Sequence, residues 1–253
     1  MSNRVDLTRK ILTIDSSDRS YGSGSSFDIN IDMSRFNAFN KASVLMCEVP
    51  KSYYNFDSAP TFSITESTGP VTQAVSITAG RFYTASTLAA ELKTALDAAS
   101  VAGGNSLTYT VSYSSTTGKF TIAVSAGETT FLTGSSELLS KYLGFEVSDT
   151  ANVTSSSTYT GPNVANMQRY DAIYVNCSFV SNNNSPRLLT LLPSGTPDLS
   201  MISYNSQDID LGSVNLVDNM TNSVKLWVVD KNNKPIELNG QNIRLVLTLW
   251  NEN

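Results

Sequence analysis

Residues 26–33 read SFDINIDM, in which Phe27, Ile29, Ile31 and Met33 alternate with Asp28, Asn30 and Asp32. Alternation with period two puts every apolar side chain on one face of an extended chain, so the stretch predicts a half-buried antiparallel strand. The same texture occupies both ends of the sequence. Upstream, Ile11, Leu12 and Ile14 run into the polar turn DSSDRS. Downstream, ASVLMCEVP is an almost unbroken apolar run that predicts a central strand, closed by Pro50. Towards the C-terminus, YDAIYVNCSFV, LLTLL, NSVKLWVVD and IRLVLTLW are rich in β-branched and apolar residues. In the last of these, Ile243, Leu245, Leu247 and Leu249 are expected to face one way, and Arg244, Val246, Thr248 and Trp250 the other. NNNSPR, SGTPDL and SYNSQDIDLG read as loops, and Asp230–Lys234 and Asn239-Gly240 as turns.

From Thr61 to Gly161 the texture changes to Ser, Thr, Ala and Gly. A strand is expected over Val71–Thr78, then a turn at Ala79-Gly80, then a helix. Thr84 is the expected N-cap of ASTLAAELKTALDAA, with Leu88, Leu92, Ala95, Leu96 and Ala99 on one stripe and Gly103-Gly104 as the stop. SLTYTVSYS and KFTIAVSA predict a hairpin across Ser114–Gly118, and SSELLSKYLG a shorter second helix ending at Gly144. The fold class expected is therefore mainly β. One antiparallel β-sandwich is built from residues 1–60 and 162–253, and a β-α-β-β-α segment, 61–161, is inserted between them. Such an insertion costs little, because closure entropy grows slowly with loop length.

Histidine is absent from all 253 residues. That removes Ser-His and Cys-His nucleophiles and imidazole bases and nearly all catalytic zinc chemistry, leaving carboxylate-only catalysis as the enzyme reading to test. The balance of 22 acidic against 17 basic residues, with no basic stripe, argues against nucleic-acid and membrane-surface partners. No run approaches the ~18 apolar residues of a membrane span, and the N-terminal MSNRVDLTRK lacks the apolar segment of a secretory signal. A cytosolic origin is expected, in which the sequons at Asn152, Asn176 and Asn219 carry no weight. Cys47 and Cys177 each lie in an apolar run and are expected as two buried thiols; the other reading is one disulfide between two strands.

Two acidic groups invite chemistry. Asp15, Asp18 and Arg19 could form a carboxylate pair or a calcium site, but the irregular spacing favours an Asx-rich turn with Arg19 paired to a neighbouring Asp. Asp198, Asp208 and Asp210 are expected on a solvated loop. Neither group, nor Gly22 and Gly24, calls for a cofactor or metal. Tyr53, Tyr54, Phe82, Tyr83 and Tyr159 could stack on sugars; core or inter-subunit anchoring is the commoner use of such tyrosines.

Three segments taken together resemble a known group: ILTIDSSDRS with SFDINID; VLMCEVPKSYYNF; and LWVVDKNNKPIELNGQNIRLVLTLW. They are similar to the minor capsid (penton or vertex) proteins of virophages, polinton-like elements and related large DNA viruses. ITAGRFYTASTLAAELKTAL, TYTVSYSSTTGKFTI and YLGF look like the insertion found in that group. The resemblance implies a single jelly-roll β-sandwich carrying a β/α insertion domain. It also implies a homopentamer at the icosahedral five-fold vertices, beside a separate major capsid protein, in a virion assembled from protein made in the host cytoplasm. Ser17 stands where a basic residue is common in the group's opening motif, which leaves a basic contact there without support. On this reading the chain is structural rather than catalytic, and Tyr53, Tyr54 and Trp250 are the candidate subunit contacts. The alternative is the receptor- or glycan-binding head of a viral fibre or spike, with residues 61–161 meeting a host-surface receptor or glycan.

Overall fold

A computed structural model describes residues 9–36, 39–132, 137–146, 151–181, 185–208, 212–217 and 222–252. Asp210, Asn219, and parts of NNNSPR and SSELLSKYLG lie outside the described residues. The chain divides into two compact units, Met1–Tyr53 with Tyr170–Asn253, and Tyr54–Arg169.

In chain order the first unit opens with β1 (Lys10–Asp15), β2 (Tyr21–Gly22), β3 (Ser26–Asn30) and β4 (Lys41–Pro50). The second unit supplies β5 (Thr61–Glu66), β6 (Gly69–Ser76), α1 (Ala85–Ala102), β7 (Tyr109–Ser114), β8 (Lys119–Val124), β9 (Glu128–Leu132), β10 (Ala151–Thr154) and β11 (Tyr159–Thr160). The chain then returns to the first unit with β12 (Ile173–Cys177), β13 (Arg187–Leu191), β14 (Met201–Asn205), β15 (Val214–Asn215), β16 (Ser223–Val229) and β17 (Arg244–Trp250).

The first unit holds two antiparallel sheets. One runs β1-β17-β4-β14, with β15 also on β4; the other runs β13-β12-β16-β3-β2. Their inward side chains form one core: Val44, Cys47, Leu245 and Leu247 come from the first sheet, and Phe27, Val175, Leu226 and Val228 from the second. Two antiparallel sheets sharing an apolar interior make a β-sandwich. The apolar run 42–50 is central, as its composition predicts, with β17 along one side and β14 and β15 along the other. β3 buries Phe27 and Ile29, but it ends at Asn30, three residues short of the alternating pattern. The Asp32 side chain then accepts from the Ser34 N–H at 3.3 Å and starts a 3₁₀ turn, Met33–Arg35, that still buries Met33.

The second unit builds its core from α1 and two antiparallel sheets, β10-β9-β5-β6 and β11-β8-β7. The expected helix forms. Thr84 and Thr87 cap each other's N–H groups at 3.2 and 2.9 Å, and Leu88, Leu92, Leu96 and Ala99 bury against Ile64, Phe120, Ile122 and Phe131.

Three expectations are corrected. Thr61–Gly161 is richer in strands than a β-α-β-β-α unit, because TFSITE alternates inward Phe62, Ile64 and Glu66 with half-exposed or exposed partners and makes a strand of its own. The second helix is a single π-helical turn, Leu138–Tyr142, in which the Leu143 N–H reaches back five residues to the Leu138 carbonyl at 3.0 Å and Leu138, Leu139 and Tyr142 are all buried. SYNSQDIDLG is not wholly loop, since Met201–Asn205 completes the first sheet and buries Ile202. In β17 Leu245, Leu247 and Leu249 are buried, and on alternate positions burial deepens along the strand, from exposed Arg244 through half-buried Val246 to buried Thr248 and Trp250.

Candidate contact surfaces

The opening motif IDSSDR is a staple inside the first unit. Buried Ser16 receives the Ile243 N–H on its Oγ at 2.9 Å, gives its own N–H to the Ile243 carbonyl at 3.0 Å, and donates from Oγ to Asn242 Oδ1 at 3.0 Å. Arg19 is not paired to a neighbouring Asp as expected. Its guanidinium donates to the Ser16 carbonyl at 2.7 Å and to Asn242 Oδ1 at 3.0 Å, which the tight turn brings closer than either carboxylate. Asp15 accepts from the N–H and hydroxyl of Ser17 at 2.9 and 2.7 Å and pairs with Arg244 at 3.6 Å. Those two donors chiefly, and Arg244 after them, hold its carboxyl below the ordinary range. Asp198 pairs with Lys51 at 3.2 Å. Among the described residues no three Cys, Asp or Glu side chains come together as a metal-ligating group, and no helix is long and apolar enough to cross a membrane. Cys47 and Cys177 are free, buried thiols rather than a disulfide; burial pushes each up to about 12.

The second motif, VPKSYYN, divides between the units. In the first, the Ser52 hydroxyl donates to the Leu238 carbonyl at 2.6 Å, and Tyr53 sets its ring edge-on to Tyr170 at 4.8 Å. In the second, Asn55 is a junction of backbone groups. Its Oδ1 accepts from the Tyr83 N–H at 2.6 Å, its Nδ2 donates to the Met167 carbonyl at 3.0 Å, and its carbonyl accepts from the Tyr142 hydroxyl at 3.1 Å. Arg169 grips both oxygens of Asp57 and donates to the Tyr54 carbonyl at 2.8 Å. The second unit's first and last residues are thereby clasped together.

The three candidate contact residues meet different fates. Tyr53 and Trp250 are only 4% and 3% exposed within the chain, which leaves little of either ring for another subunit. The Arg9 guanidinium lies 5.4 Å from the centre of the Trp250 ring. Tyr54 is half-buried, tilted against Phe82 at 5.0 Å. Of the other tyrosines singled out, Tyr83 is core and Tyr159 is half-buried edge-on to Phe145 at 5.0 Å.

The apolar side chains that do reach solvent in the first unit were not singled out by sequence. Ile11 on β1 and Tyr21 on β2 are 67% and 78% exposed; Leu192, Leu199 and Met201, in and beside the β13–β14 connection, are 68%, 72% and 43% exposed. Leu199 also has φ of +62°, a left-handed conformation that costs a side-chain-bearing residue roughly 1–2 kcal/mol. It is held there by paired backbone hydrogen bonds, Leu199 N–H to the Lys51 carbonyl at 2.9 Å and Lys51 N–H to the Ser200 carbonyl at 2.8 Å. The Lys51 ammonium adds a bond to the Thr196 carbonyl at 2.6 Å. A cleft of about 190 Å³ opens between β13 and the β4–β14 pair, lined by Val44, Arg187, Leu188, Leu189, Thr190 and Tyr204. Exposure of one Leu or Tyr in a strand-rich chain leaves no mark in the local pattern, so only the topology exposes this distribution.

No protein-family model matches the sequence, and no curated protein matches it. Among solved structures the chain is similar to the crystal structure of the mavirus penton protein, with a TM-score of 0.56 at 13% sequence identity. The match covers 95% of this chain and 99% of that one. At this identity the likeness is one of fold, and it spans both units.

Proposed function

We propose that the chain is a viral capsid subunit: a homopentameric penton that occupies the icosahedral five-fold vertices beside a separate major capsid protein. The observation that carries this reading is the fold shared with the mavirus penton protein over nearly the full length of both chains. In this reading the first unit is a single jelly roll and Tyr54–Arg169 is an insertion domain between its early and late strands. The role is structural, resting on interface burial on the order of 2,000 Å² or more rather than on a reaction. Of the three contact candidates, Tyr54 retains the most ring to offer a neighbour. The chain's place is then the virion.

Native mass spectrometry of the purified protein tests the assembly: five chains of 27.3 kDa give a closed species of about 137 kDa. A chain that stays at 27.3 kDa at every concentration and salt, alone and with the major capsid protein of the same virus, would remove the proposal.

A further inference from the structure

On one side the two sheets of the first unit end in β1 and β2, and on the other in β13 and in β14 with the short β15. β1 and β2 are joined by the short stapled turn 16–20, and the Ser20 N–H and hydroxyl both reach the Asp28 carbonyl on β3, at 2.8 and 2.9 Å. At the other ends of the same two sheets, β13 and β14 are joined by residues 192–200 and flank the cleft. The exposed large apolar side chains of this unit, among the described residues, all sit on these two opposed edges: Ile11 and Tyr21 on one, Leu192, Leu199 and Met201 on the other.

We propose that the β1/β2 edge of one copy docks on the β13/β14 edge of the next, Tyr21 entering the cleft beside Leu189 and Tyr204. This rests on the capsid-subunit reading above and names the surfaces it would use. A ring of more than two identical subunits needs unlike, mutually complementary patches on one chain, because each subunit meets its two neighbours through different faces. A single foreign partner would require one apolar edge; this fold carries two, on opposite sides. Edge strands offer unpaired backbone groups that pair readily with another chain. The backbone bonds that hold Leu199 left-handed order the loop backbone that carries it before any partner arrives, which reduces the ordering cost of docking.

The test uses the full chain with one edge altered at a time, Tyr21→Asp and Leu199→Asp. Both side chains are exposed, and Asp tolerates the left-handed backbone at 199. Circular dichroism confirms folding, and native mass spectrometry is run at a concentration where the wild-type protein is fully assembled. Each variant alone should fall to the 27.3 kDa single chain, an apparent weakening of at least 100-fold. An equimolar mixture, trapped by brief amine crosslinking, should yield a two-chain species of about 55 kDa and nothing larger, since only one intact pair of unlike edges remains. Either variant assembling as the wild type does, or a mixture that gives no two-chain species, overturns the edge assignment while leaving the capsid reading standing. A wild-type chain that never assembles overturns the capsid reading itself.

Discussion

Glu66 sits at the end of β5 with its carboxylate sealed in the second unit. It accepts from the Tyr109 hydroxyl at 2.6 Å, the Asn105 amide at 2.7 Å and the Ser100 hydroxyl at 3.1 Å, all neutral donors. Burial, followed by the bond to Glu66, pushes the Tyr109 hydroxyl well above its ordinary value. Glu66→Ala leaves the buried Ser100 hydroxyl without its acceptor and the Tyr109 hydroxyl with Thr129 Oγ1 alone at 2.8 Å, and a buried group that loses its partner costs about 1–3 kcal/mol. We expect a loss of about 3 kcal/mol in urea denaturation, with Glu66→Gln less severe because one carbonyl acceptor survives. Asp15 gives a pH dependence. Its folded-state carboxyl titrates below the ordinary 3.8, so its contribution is fully present above that value and is lost as pH falls through the lower folded value. Asp15→Asn should flatten the stability profile of the protein below about pH 4, lowering stability at neutral pH and converging on the wild type in acid, as pH-dependent urea denaturation would read. The buried thiols supply a third expectation: Cys47 and Cys177 should resist alkylation at pH 8 in the native protein and react together on unfolding. Their placement was legible in sequence, because each sits in an apolar run. Glu66 was not, since an acid in a Ser/Thr-rich strand looks like surface until Ser100, Asn105 and Tyr109 arrive from distant positions.

At the scale of elements, legibility followed length and periodicity. α1 announced itself by stripe and cap, and β4 by its unbroken apolar run, whereas β2, β11 and β15 are two residues each and too short to carry a period. Turn glycines show the same contrast between local and tertiary demands. Gly144 and Gly195 both have positive φ, +75° and +77°. A Cβ on Gly144 would lie 2.3 Å from the Asn163 carbonyl oxygen, while one on Gly195 would have nothing within 4 Å. Gly195→Ala should therefore cost only the backbone term, about 1 kcal/mol. Gly144→Ala, which must also displace the 163–164 backbone, should cost about 3 kcal/mol, and parallel thermal melts of the two variants would read the difference.

Among the described residues there are two apolar cores, one in each unit. Both tryptophans, Trp227 and Trp250, belong to the first unit, while α1, the longest helix described, belongs to the second. Intrinsic fluorescence and helical ellipticity therefore report on different cores. We expect their denaturation curves to fall at different midpoints; superimposed curves would mean that the cores unfold as one cooperative system. The staple between Ser16 and Ile243 also orders events during synthesis. β1 pairs with β17 from Lys10↔Leu249 to Asp15↔Arg244, so β1 waits until Leu249 has been made, while Tyr54–Arg169 has all its partners much earlier. A ribosome that stops short of residue 244 releases a chain whose β1 has no β17 to join. Synthesis through β17 is thus a precondition for the β1/β2 edge, and a chain cut short before it is excluded from any assembly that uses that edge.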